Sequence, residues 1–152
     1  PEDNPRAYEA RSGISILPNL ITPLFIAHGE TDERVPVTHS REYIARAKEI
    51  GKDKQIDYFE LKGIGTRDHW GNITPTQLET MMRKSEHHRQ TNRIPPQLPR
   101  TGQLIVAGYV VTKHFSIHLD SIDKTAIATY DLDQKKFHLT CPKSCEYRIE
   151  LY

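Results

Sequence analysis

Two side chains in the first half of the chain have the types and spacing for shared acid–base chemistry. Asp32 lies four positions after His28, the last residue of the apolar run Thr22-Pro23-Leu24-Phe25-Ile26-Ala27-His28, and His69 follows a second strand-like run by a loop holding Gly63 and Gly65. A carboxylate beside an imidazole can hold one ring nitrogen, fix the tautomer, and leave the other nitrogen to take a proton from a nucleophile. The nucleophile is missing from the pattern. No Gly-x-Ser-x-Gly occurs, and no serine sits on a turn from an apolar strand into a helix.

The elements that would position this pair can be read from the surrounding residues. A short apolar run ended by Gly29 has the pattern of a strand buried on both faces in a parallel sheet. A helix is expected next: Pro36 suits its first turn, Tyr43, Ile44, Ala47 and Ile50 share one face, Glu42 can pair with Arg46, and Gly51 ends the run. Gln55 to Leu61 is strand-like, and Thr74-Pro75-Thr76-Gln77 supplies an N-cap, a first-turn proline and a capping-box glutamine for a helix running to about Gln90. Strand, helix, strand at this spacing predicts a right-handed βαβ unit. Groups that follow the carboxyl ends of its parallel strands gather on one edge of the sheet, so Asp32 and His69 should open onto the same edge.

Composition narrows the rest. Lys and Arg number 21 against 20 Asp and Glu, a formal net charge of +1, so no whole-chain field exists to attract nucleic acid or anionic lipid. No apolar run nears the roughly 18 to 20 residues that span a bilayer, and Pro1-Glu2-Asp3-Asn4-Pro5 does not look like a signal peptide. Pro95, Pro96 and Pro99 mark a connector, which divides the chain into an α/β part over 1–92, a linker over 93–100 and a β-rich tail over 101–152. In the tail, Gln103 to Thr112, His114 to Leu119, Thr125 to Tyr130, Lys136 to Leu139 and Tyr147 to Leu151 read as the strands of a small antiparallel β-meander.

Residues Asn4-Pro5-Arg6-Ala7-Tyr8-Glu9-Ala10-Arg11-Ser12 and Ile21 to Pro36, in particular His28-Gly29-x-x-Asp32-x-x-Val35-Pro36, resemble the last third of a prolyl-oligopeptidase-type α/β-hydrolase. The resemblance covers about the first 90 positions. It implies a partial α/β-hydrolase fold, a parallel βαβα segment with Asp32 as the triad aspartate, and a serine peptidase or esterase whose serine lies upstream. It implies no cofactor. The family usually shows Gly-x-Gly-His where this chain has Gly63-Ile64-Gly65-Thr66; a three-residue slip selects His69 instead, preferred because threonine is no general base near neutral pH. The chain then reads as a C-terminal fragment, a truncated product or half of a split enzyme, inactive alone and acting on a peptide or ester only when completed. The alternative is a non-catalytic interaction or assembly module on a degenerate hydrolase scaffold, which Thr66 favours and Asp32 opposes.

Plainer readings stand beside these. Asp32 could merely place negative charge near the start of a helix, and His69 beside Trp70 could be a partly buried structural histidine. His28 reads as a strand-end residue, and His87-His88 as part of a solvated helix face. His114, His118, Cys141 and Cys145 are zinc-type ligands without knuckle spacing, so no metal is expected and the cysteines read as reduced thiols. Two parallel strands leave an open edge, for which a second copy of the chain or the missing hydrolase portion is the expected partner.

Overall fold

A computed structural model describes residues 5, 8, 12–93, 96–141 and 145–152. The chain divides into two compact units, Leu20–Pro96 and Gln97–Tyr152, the latter joined by the segment that ends at Asn19.

In the α/β unit, strand β1 (Leu24–Gly29) runs parallel to β2 (Ile56–Leu61), paired in register from Leu24 opposite Ile56 to Gly29 opposite Leu61. A parallel pair needs a long crossover, and helix α1 (Thr38–Glu49) supplies it. α1 begins beyond Pro36, with Val37 at its N-cap making no side-chain cap bond and the Pro36 carbonyl accepting from the His39 N–H. It ends at Gly51, whose φ of +70° lets its N–H turn back to the Lys48 carbonyl. Helix α2 (Pro75–Thr91) opens with the full capping box, Thr74 and Gln77 each bonding the other's backbone N–H. No side chain of α2 is fully buried, and a groove of about 670 Å³ lies between it and the strands, lined by Phe25, Tyr58, Phe59 and Lys84 among others. His88 does not face solvent as its charged helix suggested. It bonds Asp57 of β2 and lies against the Phe25 ring, because the helix turns this position toward the sheet. Among the described residues, β1 and β2 pair only with each other.

The β unit holds β3 (Thr101–Ala107), β4 (Tyr109–Val111), β5 (Phe115–Leu119), β6 (Thr125–Asp131), β7 (Lys136–Thr140) and β8 (Tyr147–Leu151) in one antiparallel sheet ordered β7-β6-β3-β4-β5-β8. This corrects the expected meander, which survives only over β3, β4 and β5; β6 returns beside β3, the Greek-key arrangement. The reason lies at Gly108. Its φ of +70° splits the expected strand 103–112 into β3 and β4, which share a single paired position, so β3 offers seven positions to β6 instead.

The sheet must also curl. Six flat strands would hold their edges about 24 Å apart, yet β7 and β8 are joined by a short link that the Cys141–Cys145 disulfide pinches to 6.4 Å between Cα atoms. The disulfide replaces the two reduced thiols expected from the sequence. Curling brings the Phe137 ring of β7 within 4.9 Å of Phe115 on β5, around a core of Leu104, Val106, Phe115, Ile117, Ala126, Ala128 and Tyr130. Asn19 completes the wall. Its amide both donates to and accepts from the Ile105 backbone, at 2.7 and 2.8 Å, in the manner of an added strand.

Candidate active site

The site is built from the two loops that leave the carboxyl ends of β1 and β2. They are stitched together by backbone: Glu30 N–H donates to the Leu61 carbonyl, Thr31 N–H to the Ile64 carbonyl, and the Thr31 hydroxyl to the Gly65 carbonyl at 3.0 Å. Such close approach leaves no room for side chains at two positions. A Cβ on Gly29 would lie 2.5 Å from the Ile64 carbonyl oxygen, and one on Gly65, at φ +125°, would collide with the backbone of Asp32. Asn72 then fastens the second loop to itself, accepting from Gly65 N–H and donating to the Gly63 carbonyl.

This framework brings Asp32 and His69 together. His69 Nδ1 lies 2.7 Å from Asp32 Oδ2, while Asp32 Oδ1 accepts from the N–H groups of Arg34 and Val35 at 2.8 and 2.9 Å. The Asp32 side chain is only 4% exposed and that of His69 is 38% exposed. The Val35 N–H, then His69 and the Arg34 N–H, hold the Asp32 carboxyl at about 2, against the opposing effect of burial. A carboxylate held ionised there fixes the proton on Nδ1, and among the described residues nothing bonds Nε2 of His69. His69 sits at φ +62°, in the left-handed region.

Thr66 makes no hydrogen bond to Asp32 among the described residues; its carbonyl accepts from the His69 N–H and its hydroxyl packs against Gly71. His28, read from sequence as a plain strand-end residue, reaches the same site. Its Nε2 lies 2.9 Å from the Val35 carbonyl oxygen and 3.6 Å from Asp32 Oδ2, and its Nδ1 lies 2.7 Å from Ser40 Oγ. The available signal was a polar residue ending an apolar strand four positions before the acid. Beside it, opposite His28 in the ladder, Glu60 accepts two hydrogen bonds from Arg41 of α1 and one each from Lys62 and Tyr58. Arg41, then Lys62, hold Glu60 far below the usual carboxylate range, and burial together with this acceptor pushes Tyr58 up to about 12.

The zinc-type residues do not converge. No cluster of three or more His, Cys, Asp or Glu occurs among the described residues, and His118 instead stacks on Tyr109.

An α/β unit with a buried carboxylate holding an imidazole at one sheet edge has the character of a serine-hydrolase-like scaffold. The family comparison agrees: a model of the prolyl oligopeptidase family matches residues 1–88, more than half the chain, and the chain belongs to that family. No curated protein and no solved structure matched it.

Proposed function

We propose that this chain is a C-terminal portion of a serine hydrolase and carries the acid and base of a Ser-His-Asp triad, Asp32 and His69, with the nucleophile supplied from outside these 152 residues. The observation that carries the reading is the 2.7 Å contact of His69 Nδ1 with an Asp32 carboxylate already anchored by two backbone N–H groups. His69 Nε2 takes the proton from a serine hydroxyl as it attacks a peptide or ester carbonyl, then returns it to the leaving group. Asp32 keeps its negative charge throughout, orients the ring and stabilises the imidazolium. The nucleophile-bearing portion, or a second copy of the chain, covers the unpaired edge of β1.

The test has two arms. The 152-residue chain alone should hydrolyse p-nitrophenyl acetate no faster than its denatured control, since acid and base without nucleophile or oxyanion hole lack the main sources of rate. The polypeptide encoded together with its in-frame upstream sequence should be active, and Asp32→Asn should lower its kcat by about 10⁴-fold, the scale typical of a lost triad carboxylate. An active polypeptide indifferent to Asp32→Asn and His69→Gln would remove the pair from the mechanism; one with no esterase or peptidase activity would favour a binding module on the same scaffold.

A further inference from the structure

His28 has no role in the acid–base pair itself, yet its ring contacts the Val35 carbonyl, the Ser40 hydroxyl and Asp32 Oδ2. The side chain is 12% exposed and wedged between the start of α1 and the turn at 32–35. A carbonyl oxygen can only accept, so the 2.9 Å contact with Val35 requires a proton on His28 Nε2. In the neutral ring Nδ1 is then an acceptor, matched by the Ser40 hydroxyl at 2.7 Å. The ring is satisfied at both ends and has one tautomer.

The residue it grips is the one that matters to Asp32. Val35 donates its N–H to Asp32 Oδ1 while its carbonyl accepts from His28, so one imidazole fixes the backbone that occupies one carboxylate oxygen. With Oδ1 committed to the turn, Oδ2 is left for His69. His28 Nε2 stands 3.6 Å from that same Oδ2, too far to compete with His69 as a hydrogen-bond donor. Ser40 links the arrangement to the first turn of α1, so the helix and the turn cannot shift independently.

We propose that His28 is a positioning residue for the Asp32–His69 pair, acting through Val35 and anchored by Ser40. The proposal rests on the reading of that pair as an acid–base unit. It requires that loss of the Nε2–H bond to Val35 loosen the carboxylate, and that loss of the Ser40 bond matter less.

Histidine-resolved NMR on the 152-residue chain tests this without any need for activity. In His28→Gln the side-chain amide N–H can still reach the Val35 carbonyl, whereas in His28→Asn the shorter amide reaches only toward Ser40. His28→Asn should raise the Asp32 titration midpoint by about one pH unit and speed solvent exchange of the His69 Nδ1 proton about tenfold. His28→Gln should stay near the wild-type values, and Ser40→Ala should fall between. Equal behaviour of the Gln and Asn variants, both folded by circular dichroism, would overturn the role assigned to His28. The Asp32→Asn variant separates the two levels: if it leaves solvent exchange of the His69 Nδ1 proton where it was, Asp32 does not hold that ring and the acid–base reading itself fails, whatever the His28 variants do.

Discussion

The two units bury their apolar residues in opposite ways. In the β unit, Val106, Phe115, Ile117 and Ala128 are fully enclosed by a sheet that curls onto itself. In the α/β unit, Leu24, Phe25, Ile26 and Ala27 of β1 are only half-buried, α2 encloses nothing completely, and the well-buried side chains are few: Val37, Ala47, Leu61 and Ile64. Its order comes instead from polar stitching around the loops at one sheet edge. A sheet that curls over its own residues completes its own core, whereas a two-stranded parallel sheet can fix a small polar site while most of its apolar surface stays available to further structure.

The largest effect should separate the units by their cores. Phe115→Ala removes a fully buried ring and should cost roughly 3–5 kcal/mol, while Phe25→Ala, at a half-buried position, should cost roughly 1–2 kcal/mol. Trp70 is the only tryptophan and belongs to the α/β unit, so its fluorescence in a urea titration reports that unit, while far-ultraviolet circular dichroism reports both. Phe115→Ala should shift the dichroism transition and leave the Trp70 transition in place. A Trp70 transition that moves equally would mean the two units unfold as one.

A smaller effect tests the stitching. Gly65→Ala forces a side chain onto left-handed backbone and against Asp32, and should destabilise the α/β unit by roughly 1–3 kcal/mol while speeding solvent exchange of the His69 Nδ1 proton. Unchanged Trp70 unfolding and His69 Nδ1 proton exchange in this variant would show that the loops do not need so close an approach.

The smallest expected effect is a pH dependence confined to one unit. The folded Asp32 carboxyl titrates at about 2, below the ordinary 3.8, so its contribution to stability is complete above about pH 4 and is lost as pH falls toward 2. The urea midpoint of Trp70 fluorescence should fall over that window, and less steeply in Asp32→Asn. Identical slopes in the two proteins would show that Asp32 is not held low by folding.

Much of the frame was legible because its punctuation is local. Thr74-Pro75-Thr76-Gln77 names its own helix start, Gly51 a helix end, and the run to His28-Gly29 a strand, since each depends on neighbours within one turn. Asp32 and His69 stand out by type and by their place after two strand-like runs, while the choice between Thr66 and His69 rests on the family resemblance plus the requirement for an imidazole. What stayed hidden depends on distant partners. Nothing near Thr125 says that β6 will pair with β3 across the sheet, or near Asn19 that its amide will cap Ile105, because ladder partners are chosen by tertiary packing. Gly108 marks the break in the strand, but the β-branched residues on either side continue the strand pattern across it. His28 does lie at the end of its strand, as the pattern suggests, but its contact with the Val35 carbonyl seven residues away has no local sign.

The conformation of His69 bears on how such a site could decay. At φ +62° most side chains are strained, but asparagine tolerates this region well, and a histidine codon becomes an asparagine codon by one base change. Replacement by asparagine would therefore erase the ring while leaving the loop's backbone demands met. Selection for folding alone could not guard the imidazole, so a well-formed loop in any descendant of this chain is no witness to a working base, and persistence of histidine at this position would have to be explained by what the ring does.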